Sequence, residues 1–135
     1  MYSTIAGTRA DILIDLYDES TIDAKITEID ALRVIPWIDG AVGRSFTEDD
    51  LVGADNLIRK ASCAYNAYSI MSSELEGRSV EEESLAIVRL KEAKEDVTMW
   101  CNANGITPTF AADAGVSTRN ADYAYAVGSD TACIG

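Results

Sequence analysis

The sequence predicts an all-α protein: a small helical bundle with a long antiparallel helical hairpin in residues 1–105, followed by an extended C-terminal arm in residues 106–135. Three observations predict it. Apolar residues recur at steps of three and four along much of the chain before Gly105, which lines one face of a helix. The acidic stretches behind Thr47 and Ser79 open the two longest of these runs as helix caps do. Beyond Asn104–Gly105 and Pro108 the stripe stops, and Ala, Gly, Ser, Thr and Asp take over.

From Thr4 to Tyr17, Ile5, Ile12, Leu13 and Leu16 fit a first helix capped by Ser3 or Thr4, with Gly7 weakening its first turn. A second begins at Ser20–Thr21 and places Ile22, Ile26, Ile29 and Leu32 on one face. Pro36 removes a backbone donor and disfavours helix at Ile35. A kink or break is expected there, with a short continuation through Trp37, Ile38 and Val42 that Gly40 and Gly43 end. Gly43, Arg44, Ser45 and Phe46 read as a loop.

The third helix is expected from Thr47 to Glu74, about seven turns. Thr47 and Asp50 open it as a shortened capping box, and Leu51, Ala54, Ile58, Ala61, Tyr65, Tyr68 and Met71 form its stripe. Ala54, Ala61 and Ala64 are small enough to let another helix come close. After a turn at Glu76–Gly77–Arg78, Ser79 with Glu82 caps a fourth helix that runs to about Ala103. Ala86, Leu90, Ala93, Val97 and Trp100 line it, and Ile87, Val88 and Cys101 widen the face. The short loop between the third and fourth helices makes them an antiparallel hairpin.

Composition narrows the function. Apolar residues make up 47% of the 135 and charged residues 25%, the balance of one folded domain with a real core. No run of about 18 apolar residues exists to span a membrane. The first twenty residues already carry Asp11, Asp15, Asp18 and Glu19, so no secretory leader is expected, and an intracellular or virion protein is. Acidic residues outnumber basic ones 23 to 11, and no basic cluster tracks a phosphate backbone, which argues against ordinary nucleic-acid binding. The charge of −12 has two readings: an acidic protein kept dispersed by its charge, or one adapted to molar salt, where the screening length falls to about 3 Å. The scarcity of Lys and the excess of Asp over Glu favour the second.

No catalytic, cofactor-binding or metal site is expected. The chain has no His, which removes the usual general base and the Ser–His and Cys–His nucleophile systems. Cys63, Cys101 and Cys133 are far apart and odd in number, so they form neither a disulfide framework nor a usual zinc site, and Cys63 and Cys101 are expected in the core. The acid clusters Glu48–Asp50 and Glu81–Glu83 stand at helix starts, where capping accounts for them. Arg89, Lys91 and Lys94 are placed to pair with Glu82, Glu92 and Glu95. Trp37, Tyr65, Tyr68 and Trp100 read as core, whereas Tyr123 and Tyr125 alternate with Ala in the arm and suit a partner contact.

The order of elements resembles the head–tail connector (adaptor) proteins of tailed viruses. The opening MYSTIAGTRADI, the second segment closing in IDGAVGRSF, the core stretch LIRKASCAYNAYSIM and the last helix EESLAIVRLKEAKEDVTMWCNANG carry the resemblance, over Met1 to Pro108. It implies a virion structural role: a homo-oligomeric ring, usually twelve-fold, made in the host cytoplasm and placed in the virion neck beneath the portal protein. Such a ring extends the channel through which DNA passes and docks the tail or stopper protein. On this reading the loop residues Gly43, Arg44, Ser45 and Phe46, with Phe110, Arg119, Tyr123 and Tyr125 of the arm, are the expected interface positions. The strong acidity departs from the family unless the host is halophilic. The alternative reading is an acidic helical adaptor that mimics DNA charge and binds a basic partner. A small carboxylate enzyme, the third reading, has the least in its favour.

Overall fold

The structure, a computed structural model, describes residues 1–12, 18–73 and 80–110. Among them the ordered elements are all helical. Helix α1 spans Ile5–Asp11, with the Thr4 side chain accepting from the Gly7 amide as its cap. Helix α2 spans Glu19–Ile29 and is capped by Asp18, just before the expected start. A π-helical turn, Asp30–Val34, leads without a break into α3, Ile35–Val42. Helix α4 covers Leu57–Ser73 and α5 covers Val80–Ala103.

Pro36 neither breaks nor ends the helix. The register widens one turn earlier instead, where the Ile35 amide donates to the Asp30 carbonyl five residues back. Pro36 then falls in the first turn of α3, directly after the change of register. Gly43 closes α3 in the left-handed region at φ 86°, its amide bonded to the Asp39 carbonyl.

The expected seven-turn third helix is two elements. Thr47 and Asp50 do form the capping box, but over a short 3₁₀ turn, Glu48–Leu51. The chain then leaves the helix through Gly53, whose φ of 114° is accessible to glycine at little cost. Asn56 restarts it, its side chain accepting from the Arg59 amide at 2.9 Å. Leu51 is buried as expected, while Ala54 is exposed in the intervening turn.

Helix α4 is the centre of the bundle. Every residue from Ala61 to Met71 is buried, and α1, α2, α3 and α5 all pack on it. A helix enclosed on all sides needs small residues to let neighbours approach, and Ala61, Ala64 and Ala67 supply them. Across the hairpin Ala86, Ala93, Val97 and Cys101 of α5 are buried as well. The pairing is antiparallel: Phe46, which precedes α4, meets Trp100 near the end of α5 with ring centroids 5.2 Å apart. Trp37 of α3 stacks flat on Tyr65 of α4 at 4.1 Å and 7°.

Three hydrophobic positions depart from the expected faces. Leu32 is 68% exposed, because the π-turn rotates it off the stripe of Ile22, Ile26 and Ile29. Ile87 and Val88 are 65% and 45% exposed, so they do not widen the buried face of α5. Helix α5 ends in a Schellman motif, with the Ile106 amide on the Cys101 carbonyl at 2.8 Å and Gly105 at φ 70°. The first residues assigned to the arm then turn back onto the bundle: Thr109 donates to the Ala41 carbonyl at 2.9 Å, and Phe110 stacks on Trp37 at 5.4 Å. The Glu76–Gly77–Arg78 turn, the Ser79 cap, Leu13 to Tyr17 and the arm beyond Phe110 lie outside the described residues.

Gly7, expected only to weaken α1, is what lets α1 lie on α4. A Cβ there would stand 2.7 Å from Cys63 Sγ and 2.7 Å from Thr4 Oγ1. Alanine would gain up to about 1 kcal/mol of helix propensity, but overlap of this kind costs about 1–3 kcal/mol. Gly7→Ala is expected to lower stability, by up to about 2 kcal/mol net, in urea unfolding. In a Cys63→Ala background the same change should cost less, since only the Thr4 overlap remains; an equal cost there would show that Cys63 is not the obstacle.

Candidate functional site

The polar groups of the protein concentrate where the N-terminal residues meet α2–α4. Asp30, 1% exposed in the π-turn, accepts from the Tyr2 amide at 3.2 Å, the Ser3 amide at 2.7 Å and the Ser3 hydroxyl at 2.6 Å. Asn66 of α4 completes the network by donating to Ser3 Oγ and to the Ile26 carbonyl, both at 3.0 Å. A buried carboxylate is tolerable only when its oxygens are bonded, and these are. Outside this knot, Arg59 donates to the Met1 and Tyr2 carbonyls and to Glu48 at 3.0–3.1 Å. Arg59 and the Met1 ammonium group hold the Glu48 carboxyl below its ordinary range.

The loop after α3 is held by the same residues. The Tyr2 hydroxyl donates to Asp39 at 2.7 Å and accepts from the Phe46 amide at 2.8 Å. Burial, followed by the Asp39 carboxylate, raises the Tyr2 phenol above its ordinary value. Phe46 is enclosed by its own chain, edge-on to Tyr2 and Trp100. Arg44 lies over the Phe46 ring at 4.6 Å and reaches Asp50 at 3.1 Å, and Ser45 donates to Asp39. Of the expected interface residues, this loop therefore presents Gly43, Arg44 and Ser45 to solvent, while Phe46 packs inward and Phe110 is half-buried against Trp37. Arg119, Tyr123 and Tyr125 lie outside the described residues.

A concavity of about 770 Å³ lies between α1, the turn after Leu51, α4 and α5. Its lining includes Gly7 and Cys63, the cations Arg59 and Lys60, and the acids Asp11, Glu92, Glu95 and Asp96. Arg89 bonds Glu92 at 2.8 Å and the Asp11 carbonyl at 2.8 Å, so one of the expected helix-face pairs forms and ties α5 to α1. Negative charge still predominates. Burial raises the carboxyls of Asp11 and Asp96; Arg89 and Lys60 respectively oppose the rise, and neighbouring acids add to it. Asp11 also ends α1, at the negative pole of the helix dipole.

The groove suits a cationic or hydrogen-bonding side chain of a partner better than it suits covalent chemistry. Cys63 is 6% exposed and lies under the Thr4 amide at 3.3 Å, with no imidazole in the chain to deprotonate it. Among the described residues no three His, Cys, Asp or Glu side chains come together as metal ligands would. The sequence reading missed the groove and the buried knot. Asp30 carried a signal: it falls one turn after Ile26, on the apolar face, where a carboxylate needs a partner.

The raised carboxyls set a sign for pH dependence. A folded carboxyl with a raised pKa adds stability that is present below the unfolded value of about 3.8 and is lost as pH rises through the folded one. Asp11→Asn with Asp96→Asn should therefore raise stability at pH 7, by about 0.5 kcal/mol per site because both groups remain partly in water. The gap from the parent should close as pH falls toward 3.8. Urea midpoints at both ends of that range read it, and a gap that widened on acidification would overturn the assignment. Compared with protein-family models, with curated proteins and with solved structures, the chain matches none.

Proposed function

We propose that this chain is a virion structural protein, a head–tail connector that assembles as a homo-oligomeric ring beneath a portal protein, extends the DNA channel and docks the tail or stopper. The observation that carries the reading is the α4–α5 hairpin. A helix enclosed on all sides is backed by one of 24 residues, and the N-terminal residues are bonded across α2, α3 and α4. That construction suits a part that transmits load. The Gly43–Ser45 loop is exposed, with Ser45 bonded to Asp39, and offers a partner contact, as would Tyr123 and Tyr125 beyond the described residues. The charge of −12 would keep channel DNA from binding and suits a virus of a salt-rich host.

The excess of acids in the groove, Asp11, Glu92, Glu95 and Asp96 against Arg59 and Lys60, favours a second reading, an adaptor that takes a basic group of a partner there.

Mass separates the two. Light scattering on the purified chain, at low and at molar salt and with or without a portal ring, should give a ring, or a monomer that becomes a ring only on the portal. A monomer indifferent to the portal that binds basic proteins at low salt, and releases them in molar salt, would replace the connector by the acidic adaptor.

A further inference from the structure

The outer face of α5 carries an apolar strip that the described residues leave uncovered. Ile87 and Met99 are 65% and 56% exposed, and with Leu90, Lys91, Lys94, Glu95 and Thr98 they border a shallow groove of about 610 Å³. We infer that residues Asp122–Val127 of the same chain dock in this groove in the free subunit.

Position is the first argument. Phe110, the last described residue, sits beside the groove: its ring lies 5.8 Å from the Nζ of Lys94, which is itself a groove residue. The chain is anchored there by the Thr109 amide on Ala41 and by the Phe110–Trp37 stack, so residues 111–135 start at the groove's edge. From Ile87 to Met99 the strip runs about 18 Å along α5. About five or six extended residues cover that length at about 3.3 Å each. The eleven positions from Ala111 to Ala121 can reach roughly 36 Å, ample for either end of the strip.

Chemistry is the second. In extended backbone DYAYAV would put Tyr123, Tyr125 and Val127 on one side, spaced for an apolar strip, with small alanines between them. Lys91 and Lys94 are two basic groups in a strongly acidic protein, and Asp122 opens the segment that would lie along them. Concentration decides between the chain's own segment and that of a second copy. A tether of this length holds the segment at an effective concentration of order millimolar, which a micromolar solution of other copies does not reach. The inference does not depend on the connector reading; it concerns the subunit before any assembly.

The test is photo-crosslinking of the full chain carrying Tyr125→p-benzoylphenylalanine, at low micromolar concentration, with adducts separated by mass and mapped by peptide sequencing. Expected are monomeric adducts on peptides spanning Ile87–Met99. Ile87→Asp with Lys91→Glu should lower their yield about fivefold or more. Both side chains are exposed, so the bundle should still fold cooperatively, its thermal midpoint falling by no more than the lost docking accounts for, and Met99, with which benzophenones react readily, is retained. Adducts mainly between two copies would overturn the inference in favour of arm exchange. Adducts elsewhere on the monomer, or a yield that the double variant leaves unchanged, would overturn it outright.

Discussion

The structure depends on the complete enclosure of α4. An amphipathic helix can be satisfied by one neighbour, but a helix buried from Ala61 to Met71 on every side commits the rest of the chain to covering it. Helix α5 covers one flank, α1 another, and the α2–α3 unit the remainder. The cover has to come close, which is why alanines recur on α4 and α5 and why Gly7 stands where α1 crosses Cys63. Ser62 is buried as well, returning its hydroxyl to the Ile58 carbonyl at 2.7 Å.

The π-turn follows from that commitment. Helices α2 and α3 must bend around α4, and Pro36 forbids an ordinary turn ahead of it. One i→i+5 bond solves both and brings Asp30 inward. The carboxylate would be costly there alone, by about 1–3 kcal/mol or more for each unmet bond. Three donors from Tyr2 and Ser3 meet it, so a local device for passing a proline becomes the anchor for the N-terminal residues. Tyr2 then carries the connection onward to Asp39 and Phe46.

How much of this was legible follows from what leaves a periodic trace. Helix class, the caps at Thr4 and Thr47, the stop at Gly105 and the burial of Tyr65, Tyr68, Val97 and Cys101 were legible, because each depends on near neighbours in sequence. The break after Leu51 was not, because Leu51 and Ala54 fall by coincidence into register with the α4 stripe; Gly53 and Asn56 were the signals that outweighed it. Leu32 was misplaced because a π-turn shifts the period by one residue, and no single side chain announces that. The groove over Cys63 and the Asp30 knot join residues that stand far apart in sequence, such as Ser3 with Asn66 and Asp11 with Arg89, and only the packing brings them together.

The two ends of the described chain are closed by aromatic contacts rather than by helix. Tyr2 is edge-on to Phe46 and Phe46 to Trp100, while Phe110 stacks on Trp37 and Trp37 on Tyr65 of α4. Phe46 also lies under Arg44, the exposed cation of the loop. A partner that took hold of Arg44 would act on the ring that seats Tyr2, and one that drew on the arm would act on the ring that seats Trp37. Each aromatic pair adds only about 0.5–1.5 kcal/mol beyond its buried area. Such contacts can be exchanged for those of a partner at little net cost, whereas the Asp30 knot and the interior of α4 cannot. The molecule thus combines a core that stays fixed with edges that can be traded, at the loop after α3 and at residues 106–110 behind α5.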